Sequence, residues 1–285
     1  MRRASTLPLF ALSASAAWAQ PSAEVSLVSA EVAADEQVAL AGVRFEMPPG
    51  THTYWVNPGE AGMAPRFEVL EPEGWSVDGG VWLQPPPEVF APGGVVSQGY
   101  DGTVVLPVLL RRDAAQPAGA LGEAVPLKLR VRYLVCDDDL CLPGEATLSG
   151  TLAPAASPAP PPPELAAALA SLQPPAGFPA SLNAEAGWTS RGFGFELRLP
   201  PEAENPGFFA FPNALADGLE EAARDGADLT GSDAVFRVSP LDADAGRWRF
   251  DAAGTFPGTG DAVVGVTAFD LDGQRRQVVT RVERP

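Results

Sequence analysis

Near the middle of the chain, the run Ala153 to Pro163 (APAASPAPPPP) can join neither a helix nor a sheet ladder. Proline fixes φ and has no backbone N–H to donate, so a run this dense is a stiff, extended connector. With the first 19 residues and the rest of the linker up to residue 175 set aside, about 130 residues lie before it and about 110 after it, each enough for one β-sandwich. Glycine and proline set the fold class of the flanks as well. With 29 Gly and 31 Pro in 285 residues, long helices are disfavoured and turn-rich strands are favoured, while 46% hydrophobic content is enough for real cores. The expected fold is all-β: two immunoglobulin-like antiparallel β-sandwiches joined by a proline-rich linker. Residues 20–152 form the first sandwich, 153–175 the linker and 176–285 the second. Within the linker, PELAAALASL (Pro163 to Leu172) suits one short helix, stopped by Pro174 and Pro175.

Alternation supports this division. In the stretch from Leu127 to Cys136, Leu127, Leu129, Val131, Tyr133 and Val135 share one face, and Lys128, Arg130 and Arg132 share the other. Val43, Phe45 and Met47 alternate with polar residues, and Gly42 is read as a bulge after Val38 and Leu40. Thr103 to Leu110 and Ala146 to Leu152 are further strands. After the linker, Phe193, Phe195, Leu197 and Leu199 alternate, as do Trp248 and Phe250. Val263 to Phe269 and Gln277 to Val282 are rich in β-branched residues. A helical turn within Asn213 to Ala227 is weakened by Gly218 and Gly226.

Residues 1–19 read as a cleavable secretory signal. Arg2 and Arg3 lead an apolar stretch, Leu7 to Ala16, and Ala17-Trp18-Ala19 is an A-x-A cleavage site. The apolar stretch is too short to span a bilayer, and nothing later approaches a transmembrane length. Export of this kind predicts the periplasm, an oxidising compartment in which a disulfide persists. Charge narrows the function. The formal value is −17, and loss of Arg2 and Arg3 leaves 17 basic against 36 acidic residues, or −19. Nucleic acid and anionic lipid both call for Lys/Arg stripes that this sequence lacks. One His and two Cys cannot fill a zinc site without carboxylates, so neither a metal nor a cofactor is expected.

The two cysteines lie in Tyr133-Leu-Val-Cys136-Asp-Asp-Asp-Leu-Cys141. If they face each other across a hairpin, Val131 pairs with Ala146 and Leu129 with Leu148, which brings apolar residues together on one face. Directly opposed residues at a non-hydrogen-bonded position lie about 4.5–5.5 Å apart, within disulfide reach. Parity puts Cys136 on the Lys128/Arg130/Arg132 face, away from the core and near a sheet end that a partner can reach. Asp137, Asp138 and Asp139 lie inside the loop and disfavour a thiolate. Arg132 is about 13 Å back along the strand, too far to compensate. The pair is therefore a weak self-starting nucleophile, best engaged by a partner with its own low-pKa cysteine. As a staple it would close a small loop for only about 2 kcal/mol. On spacing alone, an inert staple and an exchangeable pair both remain open.

Four stretches carry a resemblance: PGTHTYWVNPGEAG (Pro49 to Gly62), QPPPEVF (Gln84 to Phe90), GYDGTVVLPV (Gly99 to Val108) and YLVCDDDLCLPGEATL (Tyr133 to Leu148). In order and spacing they resemble the N-terminal periplasmic region of the DsbD/ScsB thiol:disulfide interchange family. GFFAFPN (Gly207 to Asn213) is similar to the next sandwich of the ScsB-like branch. The resemblance implies a sandwich whose Cys pair passes reducing equivalents from a membrane donor to periplasmic thioredoxin-fold proteins. Cys141 would form the mixed disulfides and Cys136 would resolve them. His52 and Tyr54 match the aromatic neighbours that shield the pair, and Phe90, or else Tyr100, would belong to the cap region. The family is associated with cytochrome c biogenesis and, in the ScsB branch, with copper tolerance. The sequence carries no transmembrane module, thioredoxin-like domain or further cysteine. It is thus expected to be a component of a protein-disulfide reductase that needs a separate membrane thiol reductant carrier. Its cap region, FAPGGVVSQGY, is Gly-rich and does not match the family's aromatic-pair cap.

Other readings attach to the same residues. His52 is either a half-buried strand residue or a neighbour of the disulfide, and no serine-nucleophile motif accompanies it. Tyr54, Trp55, Trp75 and Trp82 suit core packing better than a carbohydrate platform. The aspartate run lacks the glycine and distal glutamate of a calcium loop. Copper handling would use Cys136, Cys141, His52 and Met63 as soft Cu(I) ligands. A non-catalytic binding or assembly module with an inert disulfide is the remaining alternative.

Overall fold

The computed structural model describes residues 22–32, 38–78, 83–113, 124–154, 160–179, 181–185, 187–189, 192–211, 236–252 and 262–283. The signal segment, Trp82 and the Asn213 to Ala227 turn lie outside the described residues. Before the linker the strands are β1 (Glu24–Val32), β2 (Val38–Glu46), β3 (His52–Gly59), β4 (Arg66–Glu71), β5 (Trp75–Asp78), β6 (Glu88–Phe90), β7 (Ser97–Asp101), β8 (Thr103–Arg112), β9 (Val125–Cys136) and β10 (Cys141–Pro154). They pair in the order β5-β8-β2-β1-β10-β9-β3-β7-β6, with β4 also on β9. All pairs are antiparallel except the short β1–β10 bridge, Glu31 to Ala153 and Val32 to Pro154.

The alternation in β9 becomes the wall of the first core. Leu127, Leu129 and Val131 are fully buried, each contributing about 1.5–3 kcal/mol relative to exposure. From the facing layer, Phe45 of β2 meets Tyr133 edge-on at 5.4 Å. The opposite face of β9 is a ladder of exposed ion pairs, Lys128–Glu71, Arg130–Glu68 and Arg132–Glu145. Pairs of this kind keep the face soluble and contribute little stability.

The bulge expected at Gly42 is elsewhere. β2 pairs with β8 without a break, from Val38–Arg111 to Glu46–Thr103. The register shift lies in β1, where Leu27 faces Val43 and Ser29 faces Gly42, leaving Val28 as the extra residue. The core-facing residues of β2 are accordingly Ala39, Ala41, Val43 and Phe45. Gly42 answers a different need. A Cβ there would lie 3.2 Å from Val28 Cβ and 3.3 Å from both Val105 Cγ1 and Leu165 Cδ1, the last on the one α-helix among the described residues, α1 (Pro163–Ser171). That helix occupies the predicted stretch, and Leu165 is its buried anchor.

After the linker come β11 (Ser181–Glu185), β12 (Gly187–Thr189), β13 (Gly192–Arg198), β14 (Glu204–Ala210), β15 (Phe236–Asp242), β16 (Arg247–Ala252), β17 (Ala262–Leu271) and β18 (Gln274–Glu283). They form two four-stranded sheets, β11-β18-β17-β14 and β12-β13-β16-β15. Phe195 and Phe250 stack at 5.0 Å, and Phe208 packs edge-on to Phe195 and Phe236 at 5.1 and 4.9 Å. This aromatic cluster is the second core.

One apolar cluster crosses between the halves. Trp55 of β3 is fully buried and packs against Phe211 at 5.5 Å and Phe209 at 6.1 Å. Asn57 Nδ2 donates to Ala210 O at 2.8 Å. Gln277 Nε2 donates to Gln84 O at 3.3 Å.

Candidate functional site

The β9–β10 hairpin brings the cysteines together. Its register pairs Val131 with Ala146, Leu129 with Leu148 and Cys136 with Cys141. Asp137 N donates to Leu140 O at 3.0 Å, and Asp137 Oδ1 accepts from the backbone N–H groups of Asp139 and Leu140 at 2.9 and 2.7 Å. The first carboxylate of the run therefore builds the turn. Because residues 137 and 140 share the hydrogen bond, the next pair outward is a non-hydrogen-bonded one, whose side chains approach most closely. Cys136 and Cys141 are bonded there, with their Cα atoms 4.0 Å apart.

The two cysteines differ in access. Cys141 is an exposed residue, whereas Cys136 is only 1% exposed. Parity placed Cys136 on the face away from the core, and it does lie there. It is nonetheless covered, because β3 continues the sheet beside it. His52 pairs with Cys136, and Tyr54, two residues on, shares that face. The Tyr54 hydroxyl donates to Cys136 Sγ at 2.8 Å and lies 3.8 Å from Cys141 Sγ. Phe90 stacks on His52 with centroids 4.5 Å apart, and His52 meets Tyr54 edge-on at 5.2 Å. Chain therefore covers Cys136 from the β3 side, and Cys141 is left open.

A transverse row results. Cys141, Cys136, His52 and Asp101 are successive register partners across β10, β9, β3 and β7. Burial holds the His52 imidazole below its ordinary value, and Asp138, Asp101 and Asp137 partly offset that. Burial also raises the Tyr54 hydroxyl above its ordinary value, so it stays a hydrogen-bond donor at neutral pH. Arg132 is engaged by Glu145 at 2.9 Å and is not directed to the sulfurs.

Tyr100 does not join this group. It pairs with Thr53, one step out of phase with His52 and Tyr54, and so faces the core. There it is buried, its hydroxyl donating to Pro85 O at 2.8 Å. Phe90, by contrast, reaches the site through its stack on His52. Asp138 and Asp139 are exposed on the turn. Met63 is half-buried in the segment after β3. Among the described residues no group of three or more His, Cys, Asp or Glu is disposed to hold a metal.

Sequence reasoning missed three contributors. Asp101 ends the row. Gly99 faces Tyr54, and a Cβ there would lie 1.9 Å from Thr53 O. Gly62, at φ +112°, lies against the Tyr54 ring, where a Cβ would come within 2.1 Å of Cε1. The two glycines sit in the motifs GYDG and PGEAG, but their cross-chain contacts leave no mark in the sequence.

Residues 23–153 match the profile of the family described as thiol:disulfide interchange protein DsbD, N-terminal. Among solved structures, the chain is similar to the N-terminal periplasmic domain of ScsB from Proteus mirabilis. The TM-score is 0.59 at 17% identity, covering 92% of this chain and 94% of that one. The reduced N-terminal domain of DsbD from Neisseria meningitidis is 19% identical over 46% of this chain and 89% of that one, with a TM-score of 0.26. No curated protein matches. Among the described residues no helix is long and apolar enough to cross a membrane.

Proposed function

Residues 23–153 belong to the DsbD N-terminal family, and from that premise we propose that this thiol–disulfide exchange domain carries reducing equivalents between a membrane or thioredoxin-like donor and thioredoxin-fold acceptors in the periplasm. The observation that carries the reading is the asymmetry of the disulfide, with Cys141 open and Cys136 enclosed. A partner thiolate attacks Cys141 Sγ along the S–S axis. The Cys136–Cys141 bond breaks, a mixed disulfide forms at Cys141, and the electron pair leaves on Cys136. The developing Cys136 thiolate lies against the Tyr54 hydroxyl, 2.8 Å away. A hydrogen bond to a charged acceptor is worth about 1.5–3 kcal/mol, more than one to a disulfide sulfur. Tyr54 thus favours departure of that thiolate. A second thiolate of the donor then attacks the mixed disulfide and leaves the pair as two thiols. Toward an acceptor the steps reverse: Cys141 attacks the acceptor disulfide, and Cys136 attacks Cys141 Sγ to release the reduced acceptor.

His52 and Phe90 serve as the shield over Cys136, and Tyr54 as both shield and donor. Within these 285 residues there is no third cysteine, so electrons enter and leave through the one pair. In this reading a membrane thiol reductant carrier serves as the donor. The A-x-A segment at Ala17 to Ala19 supports a periplasmic location.

Trapping tests the assignment. Reduced Cys136→Ser should accumulate mixed disulfides through Cys141 with a thioredoxin-fold disulfide, and Cys141→Ser should give few or none. Equal adducts from both variants, or a reduction potential below about −300 mV, would return the bond to the structural class.

A further inference from the structure

The surroundings of the open sulfur specify the class of partner. On the face that carries Cys141, the charged side chains nearest the row are carboxylates. Asp101 is its last member, and Asp137, Asp138 and Asp139 form the turn beside Cys136. Glu88 of β6 lies on the same face, since it pairs with Gly99, the partner of Tyr54. Glu60 Oε2 accepts from Val96 N at 2.7 Å, at the end of the loop that follows Phe90. The cations on this face are farther away. Arg132 and its register partner Arg66 are four positions back from Cys136, about 13 Å along the strand, and Arg132 is engaged by Glu145. His52, the one imidazole inside the ring of carboxylates, is held toward its neutral form by burial. Exposed apolar side chains stand on the segments flanking the site: Leu140, 45% exposed, on the turn, Val95, 46% exposed, in the loop after Phe90, and Val89, 54% exposed, on β6 but turned to the face opposite Glu88.

Resting on the exchange reading above, we infer that the mouth of the disulfide selects partners whose reactive cysteine lies in an apolar patch ringed by Lys or Arg, and discriminates against anionic thiols and disulfides. Two effects act together. Neighbouring rungs are about 5 Å apart, so Asp101 stands about 10 Å from Cys136 and about 15 Å from Cys141 along the row; the turn carboxylates beside the cysteines dominate a field screened over about 8 Å at physiological salt, and Asp101 joins them at low salt, where screening extends to about 30 Å. That field raises the local concentration of cations and lowers that of anions. The same carboxylates oppose a second negative charge on the attacking or leaving sulfur, and a cation supplied by the partner relieves this.

Small symmetrical disulfides test the selection without choosing a protein. The reduced protein is oxidised by cystamine, a dication, by bis(hydroxyethyl) disulfide, which is neutral, and by dithiodipropionate, a dianion. In each case Cys141 thiolate attacks one reagent sulfur and expels one reagent thiolate. Cys136 thiolate then attacks Cys141 Sγ and expels the second. Two electrons pass to the reagent, and the two thiol protons pass to solvent or to the released thiolates. Each rate is divided by that of N-acetylcysteinamide with the same reagent, which removes intrinsic reactivity.

At an ionic strength of about 0.01 M the normalised rate for the dication should exceed that for the dianion at least about tenfold. The ratio should contract toward unity at about 1 M. Replacing Asp101→Asn, Asp138→Asn and Asp139→Asn together, which spares the turn-building Asp137, should lower the low-salt ratio about threefold or more. Equal normalised rates for all three reagents, or a ratio indifferent to salt, would overturn the inference while leaving exchange intact. If none of the reagents oxidises the pair, the exchange reading falls and takes this inference with it.

Discussion

His52 shows how one residue ties the site to the stability of the whole fold. It is the chain's single histidine, stacked under Phe90 and in register with Cys136. Burial lowers its proton affinity from the ordinary value of 6.5, and the carboxylates of Asp138, Asp101 and Asp137 only partly restore it. Between 6.5 and the folded value, the unfolded chain carries a proton that the folded chain does not. Stability therefore rises with pH through that window, and its contribution from His52 is lost as pH falls below 6.5. A urea midpoint measured from pH 8 to 5 should fall on the acid side in the native protein. In His52→Gln the fall should be smaller by the His52 contribution, since carboxylates titrate mainly lower. The imidazole resonances, arising from one residue, should give a midpoint below 6.5. A midpoint above that value, or identical acid limbs in the two proteins, would show the ring to be better solvated or better paired than its packing indicates.

At the scale of elements, the shield depends on how closely β7 approaches β3. Gly99 permits that approach, because a Cβ there would overlap Thr53 O. Gly99→Ala should cost about 1–3 kcal/mol in denaturant stability, as overpacking does. It should also speed alkylation of Cys136 in the reduced protein by moving β7 and the Phe90 stack outward. Unchanged alkylation alongside lost stability would mean that Tyr54 alone covers the sulfur. This pairing also marks where the sequence stops being legible. The β9 alternation is local, so the hairpin register, the Val131–Ala146 and Leu129–Leu148 pairs and the disulfide could all be read from neighbouring residues. The helix over Pro163–Ser171 was legible from its proline boundaries. Tyr100 was not, because its face is fixed by pairing with Thr53, nearly fifty positions earlier, and a shift of one residue reverses it. The burial of Cys136 escaped for the same reason: parity within β9 is silent about a second strand laid beside its end. Gly42 was legible as a special position. Its cause, the close approach of Val28, Val105 and, from the linker helix, Leu165, was not.

Across the whole molecule, the proline run separates two stretches of sequence that nevertheless share part of one core, since Phe209, Phe211, Val266 and Ala268 join the first. β3 holds His52 and Tyr54 at the disulfide and, a few residues on, sends Trp55 against Phe209 and Phe211 and Asn57 to the carbonyl of Ala210. The strand that shields the sulfur is thus anchored at its other end in the second sandwich. The aromatic contacts and the fully buried Asn57 bond bind the halves more firmly than a linker would, since breaking them exposes a complete indole and strands a buried amide. Coupling of this strength has a thermodynamic signature. Trp55→Ala in the full chain should cost about 3–5 kcal/mol. Residues of both halves should lose hydrogen-exchange protection together, with one calorimetric transition moving as a whole. If the variant instead shows two transitions, and only the one assigned to residues before the linker moves, the halves are independent domains. The second sandwich would then bear on the disulfide through no contact with β3.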